Sequence, residues 1–154
     1  MPDLISHAAT AYIFRNLASK LRVCQKPFFV LVLLGVFLPD LISRATLVFF
    51  PKLFYLTQYF HTPFSCFFQT IIISCFFIKS QRLIVFYAIT IGWVIHQTLD
   101  VLQGFVGGGN YVVLWPFSNK TFGFGLFPAT EWMYVILITT LTALLTNKLF
   151  IKKE

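Results

Sequence analysis

Four long apolar stretches, residues 21–38, 64–78, 83–103 and 131–150, do most to limit what this chain can become. A bilayer core about 30 Å thick takes ~20 apolar residues as a helix, and stretches of this kind partition into it. Phenylalanine alone occurs 20 times, and 58% of residues are hydrophobic against 11% charged. Mean hydropathy is +0.81, far above that of a water-soluble domain. Such a composition predicts an integral membrane protein. The length of 154 residues suits one membrane-embedded domain, residues 1–154.

The expected architecture is all-α, a polytopic helix bundle with about four transmembrane helices. An N-terminal amphipathic or re-entrant helix over residues 4–19 completes it, with Ser6 or Asp3 as its cap. Within residues 21–38 the most apolar run, residues 27–38, spans only about 18 Å and needs its flanks to cross a membrane. Residues 41–60 carry Arg44, Pro51, Lys52 and several aromatics, which predicts an interfacial segment. Residues 104–130 are rich in Gly, Asn, Pro and aromatics and predict a long functional loop. Thr130 is the expected cap of the last span. No basic segment followed at once by an apolar run opens the chain, so no cleaved signal peptide is expected.

The net charge is +7. Its cations flank the apolar segments, as topological anchors against anionic headgroups do. No basic stripe or recognition helix accompanies them, so a nucleic-acid partner is not expected. Lys20, Arg22, Lys26, Lys79, Arg82, Lys148, Lys152 and Lys153 all fall between or after segments on one side, which the positive-inside rule makes cytoplasmic. Arg15, Arg44, Lys52 and Lys120 do not follow that pattern. Cys24, Cys66 and Cys75 are odd in number and lie in apolar runs, as buried hydrophobes rather than a disulfide framework.

On this topology His7, Asp40, His61, Asp100 and the 104–130 loop all fall toward the outer face, with His96 one turn deeper. These five ionisable residues stand in short polar knots: Ser6-His7, Leu38-Pro39-Asp40, His61-Thr62 and His96-Gln97-Thr98-Leu99-Asp100. Ionisable groups are costly in apolar surroundings and mark a functional site by default. His96 and Asp100 are four apart and share a helix face, as two metal ligands do or as a His–Asp pair gluing helices does. Taken one at a time, Asp40 suits a solvated helix end, and His7 and His61 suit interfacial polar contacts. Together, three imidazoles and two carboxylates form a set suited to a divalent metal: zinc first, with manganese or iron for a more open site. Five candidates exceed the three protein ligands usual at a catalytic zinc. Either two metals share them, or one carboxylate, Asp40, acts as a general base. Glu131 suits the dipole at the start of the last helix slightly better than a sixth ligand role. Gly107-Gly108-Gly109-Asn110 lacks the Gly-Lys-Ser/Thr of a phosphate loop, and no Gly-x-Ser-x-Gly elbow supports a serine hydrolase.

The order of these pieces resembles the YdjM-like family of inner-membrane-associated metal-dependent hydrolases, also labelled LexA-binding. Ser6-His7, Leu38-Pro39-Asp40, His61-Thr62, the His-x-x-x-Asp of His96 and Asp100, and Trp115-Pro116-Phe117 carry the resemblance over nearly the whole chain. It implies a small polytopic membrane protein with metal-dependent hydrolase activity. The chain departs from the family at Ile42, where members often have a second acid. It departs again at Gln58-Tyr59-Phe60, where members often have Arg-Gly before the central histidine. The order His, Asp, His, His-x-x-x-Asp is also similar to that of zinc-dependent phospholipases C, which are soluble and carry further ligands. The expected function is hydrolysis of a phosphoester or related ester in a lipid or lipid-linked substrate, at the outer face of a bacterial inner membrane. Trp115 and Phe117 would hold the acyl chain, and Lys120 or Arg44 would neutralise a phosphate. The alternative is a non-catalytic membrane protein whose His/Asp cluster is structural, or binds metal for regulation or transport.

Overall fold

The computed structural model describes residues 4–104 and 112–150. Inside a bilayer each backbone N–H and C=O must find its partner within the chain, and helices meet that demand locally. The described residues are accordingly mostly helical. In order they form α1 (Leu4–Leu17), α2 (Phe28–Phe49), the short α3 (Thr57–Phe60), α4 (Pro63–Cys75), α5 (Lys79–Leu102) and α6 (Trp132–Phe150). Two two-residue strands, β1 (Gln103–Gly104) and β2 (Phe127–Pro128), pair in parallel with Gln103 opposite Phe127. The all-α expectation holds for the described residues.

Helices α2, α5 and α6 are long and apolar enough to cross a membrane. At 1.5 Å per residue they are about 33, 36 and 29 Å long. The stretch expected as a fourth span forms α4, apolar but only 13 residues, or about 20 Å. Helix α1 has 14 residues and is similarly short. Ser6 lies inside α1 rather than capping it, and Asp3 lies outside the described residues. Thr130 falls in a 3₁₀ turn, Ala129–Glu131, that leads into α6.

The largest difference from expectation is α2. The sequence suggests an apolar helix ending near Leu38 and an interfacial segment after it. Instead residues 21–27 form a connection with a 3₁₀ turn at Arg22–Cys24, and one helix runs from Phe28 to Phe49 through Pro39. Proline removes the N–H that would bond the Gly35 carbonyl, yet membrane helices absorb such a loss when neighbours pack closely. Past the proline, Arg44 sits four residues from Asp40, and Thr46 Oγ1 donates to the Ile42 carbonyl at 2.8 Å. Asp40 is therefore not a solvated helix end. It lies in the interior of α2 at 1% exposure.

Close packing of α2 on α5 builds the centre of the bundle. Gly35 and Gly92 permit it: a Cβ on Gly35 would collide with the Ile89 carbonyl, and one on Gly92 with the Val32 carbonyl. Small residues at a helix crossing let backbones approach in this way. Ala11, Val23, Cys24, Phe29, Val32, Val36 and Ala88 form the apolar core around the crossing. Helix α4 packs on α5, and α6 packs on α1. The α1–α6 contact is fastened by Asn16 Nδ2, which donates to the Ala143 carbonyl at 3.1 Å and to Thr146 Oγ1 at 3.0 Å. That contact joins the last turns of α1 to the C-terminal half of α6, so the two helices run in the same direction.

Candidate metal centre

Five ionisable side chains from separate parts of the chain meet in one place. His7 comes from the first turn of α1 and Asp40 from the middle of α2. His61 comes from the break between α3 and α4, and His96 and Asp100 from the last turns of α5. All five are buried, His7 and His96 completely. Each position has a local cause. His61 is held where Thr62 caps α4: its Oγ1 accepts from Ser65 N at 3.4 Å, with Pro63 as the first helical residue. Gln97 Nε2 donates to the His61 carbonyl and ties that break to α5. His96 and Asp100 share a helix face by their spacing of four.

The polar atoms converge tightly. His61 Nε2 lies 2.6 Å from Asp100 Oδ2, His96 Nε2 lies 3.2 Å from the same oxygen, and the two Nε2 atoms are 2.8 Å apart. His7 Nε2 is 3.6 Å from Asp100 Oδ1, and its ring meets that of His96 edge-on with centroids 4.0 Å apart. Asp40 stands on the far side. Its Oδ1 is 3.9 Å from His61 Nδ1 and 4.0 Å from His96 Nε2, and its Oδ2 is 4.0 Å from Arg44 Nη2.

Two overlapping groups, His61–His96–Asp100 and His7–Asp40–His96, could each hold a metal ion. The donor set fits one. A tetrahedral ion bound at about 2.0–2.2 Å keeps its ligand atoms roughly 3.3 Å apart, so the first group accommodates it with a few tenths of an ångström of outward movement. Asp40 supports the same conclusion independently. Neither of its oxygens has a hydrogen-bond partner among the described residues. A buried carboxylate so placed is costly unless a cation or a bound molecule satisfies it.

All five residues singled out in the sequence are thus brought together. Arg44 joins them at the rim, 59% exposed. Glu131 and Lys120 are exposed and belong to no metal-holding group among the described residues. Arg15 belongs to the opposite end, where its Nε donates to the Cys24 carbonyl at 3.3 Å and its guanidinium lies 5.0 Å from the Phe29 ring. Gly107-Gly108-Gly109-Asn110 lies outside the described residues. Trp115 packs against Tyr59 and Phe64, with centroids 5.3 and 5.7 Å apart, and Phe117 meets Phe64 at 6.1 Å. The segment after α5 therefore folds back over the His61 break.

Two buried glutamines escaped sequence reasoning. Gln97 binds the His61 backbone, and Gln103 ends α5 at 1% exposure. The signal for Gln103 was present, since His96, Asp100 and Gln103 stand at i, i+4 and i+7 on one face. Beside Gln97 a cavity of about 300 Å³ opens on the outer flank of α5, lined by Trp93, Val94, Thr98, Val101 and Phe124 among others.

Fold and site together define an all-α helical bundle with membrane-length helices and a buried histidine–aspartate cluster that could hold a metal ion. Comparison with protein-family models, curated proteins and solved structures finds no match to this chain.

Proposed function

We propose that the protein is a membrane-embedded, metal-dependent hydrolase acting on a phosphoester or related ester of a lipid or lipid-linked substrate. The observation that carries this is the convergence of three imidazoles and two carboxylates, all buried, from four separate helical segments. The resemblance of its motif order to that of the YdjM-like hydrolases supports the same reading.

His61, His96 and Asp100 would hold a divalent ion, zinc by the nitrogen-rich donor set, with manganese or iron as alternatives. Such an ion supplies Lewis-acid polarisation and a nucleophile at neutral pH. His7 steadies the second oxygen of Asp100. Asp40, unbonded and facing two of the imidazoles, takes the proton of the attacking water. Arg44 at the rim neutralises a phosphate. The apolar cavity along α5 seats an acyl chain, and its 300 Å³ lies at the small end of ligand pockets.

The short helices favour a substrate delivered sideways from the bilayer. Both α1 and α4 begin at the level of the cluster, whereas α2 continues about 14 Å beyond Asp40. The exposed apolar residues Val48, Phe49 and Phe50 on that extension suit immersion in lipid. Cations at the opposite end support an orientation with the cluster toward the outer face of a bacterial inner membrane, by the positive-inside rule.

Metal content of detergent-purified protein tests the proposal, measured beside His96→Ala and Asp100→Asn. The expected result is bound transition metal in the wild type, lost in both folded variants. A folded wild type that neither carries nor takes up zinc, manganese or iron would overturn it. One observation favours a second reading. The direct 2.6 Å contact between His61 and Asp100 already clamps α5 to the α3–α4 break. A purely structural cluster predicts that His96→Ala unfolds the protein, with no turnover to lose.

A further inference from the structure

Gln103 is 1% exposed, and neither its Oε1 nor its Nε2 has a hydrogen-bond partner among the described residues. A carboxamide offers two N–H donors and two acceptor lone pairs. Burying all of them unmatched costs on the order of a hydrogen bond or more, and a better-packed apolar residue would avoid the cost. Gln103 is the C-cap of α5, its N–H bonded to the Leu99 and Asp100 carbonyls, so it continues the helix face of His96 and Asp100 about 4.5 Å beyond Asp100.

Helix α2 carries a matching feature. Arg44 lies one turn past Asp40, with Nη2 4.0 Å from Asp40 Oδ2. Both α2 and α5 run toward the cluster end of the bundle. Each carboxylate is therefore followed three or four residues further out by an N–H donor: the guanidinium of Arg44 after Asp40, and the carboxamide of Gln103 after Asp100. A guanidinium and an unmatched carboxamide suit an anionic, oxygen-rich group rather than a neutral carboxylic ester.

We propose that Gln103 is a substrate-binding residue whose carboxamide donates to a non-bridging phosphoryl oxygen, which narrows the substrate class to phosphoesters. This rests on the hydrolase reading above.

The test uses the full chain in detergent, loaded with metal, and compares wild type with Gln103→Met and Gln103→Glu. Metal content, thermal midpoint and affinity for inorganic phosphate by calorimetry are read for each. Metal should be retained in all three. Phosphate affinity should fall at least about tenfold in Gln103→Met, as for one hydrogen bond to a charged group, and further in Gln103→Glu, whose charge repels the anion. The phosphate-free Gln103→Met protein should melt at the wild-type temperature or above it, because an unmatched carboxamide has been removed. Phosphate affinity within twofold of wild type would overturn the assignment, as would metal-loaded wild type that binds no phosphate. A clear drop in the melting temperature of Gln103→Met would also overturn it, by exposing a structural partner. A wild type that takes up no metal removes the hydrolase reading and this assignment together, and the metal measurement identifies that failure separately.

Discussion

A carboxylate in the interior of a membrane-length helix must be satisfied by something, and Asp40 is the sharpest instance in this chain. Its ionisable partners among the described residues stand 3.9–4.0 Å away, and neither oxygen accepts a hydrogen bond from those residues. If Asp40 accepts the proton of the attacking water, Asp40→Asn keeps the metal held by His61, His96 and Asp100. Turnover should fall by about 10²- to 10⁴-fold, the range that general-base catalysis contributes. Equal loss of metal and turnover would instead make Asp40 a ligand. The five cluster residues were legible in sequence because ionisable groups are rare in so apolar a chain and each stood in a polar knot. The roles of Gln97 and Gln103 were not: a neutral amide is common at helix surfaces, so neither its place in a knot nor its spacing from Asp100 marks it until burial reveals its cost.

At the scale of elements, the α2–α5 crossing sets the distance between Asp40 and His96. Gly92→Ala would drive a methyl group into the Val32 carbonyl, and Gly35→Ala would do the same at Ile89. Overpacking of this kind costs about 1–3 kcal/mol or more when backbone must move. Both variants should melt lower in detergent and bind metal more weakly as the helices part. Gly104→Ala is the control, because among the described residues its Cβ would meet nothing closer than 3.4 Å. A crossing variant that melts and binds metal like wild type would show that the two helices need no such closeness. Helices α5 and α6 were legible from apolar length alone. Helix α2 was misjudged because Pro39, Asp40 and Arg44 together look like a helix end, and only packing against α5 and the Asp40–Arg44 spacing show why it continues. The shortness of α4 was hidden for a related reason: its last apolar residues, Phe76 to Ile78, form the turn into α5.

For the whole molecule, polarity along the bundle axis is the organising fact. The cluster occupies one end of the helices, and Arg15, Lys20, Arg22, Lys26, Lys79, Arg82 and Lys148 lie toward the other. Cys75 is exposed at that cationic end, whereas Cys24 is buried nearby. Burial pushes the Cys24 thiol up, with Arg15 opposing it, so little reactive thiolate forms there at neutral pH. A membrane-impermeant maleimide should therefore label Cys75 in inside-out vesicles and leave it unmodified in intact spheroplasts. Cys24 should resist it in both, and labelling of Cys75 from outside would reverse the proposed orientation. The order of parts along the chain carries one more consequence. Every cluster residue, and Gln103 with them, precedes α6, which fastens to the bundle through Asn16 and contributes nothing to the centre. During synthesis all five cluster residues therefore emerge ahead of α6, so the centre can assemble before that helix docks.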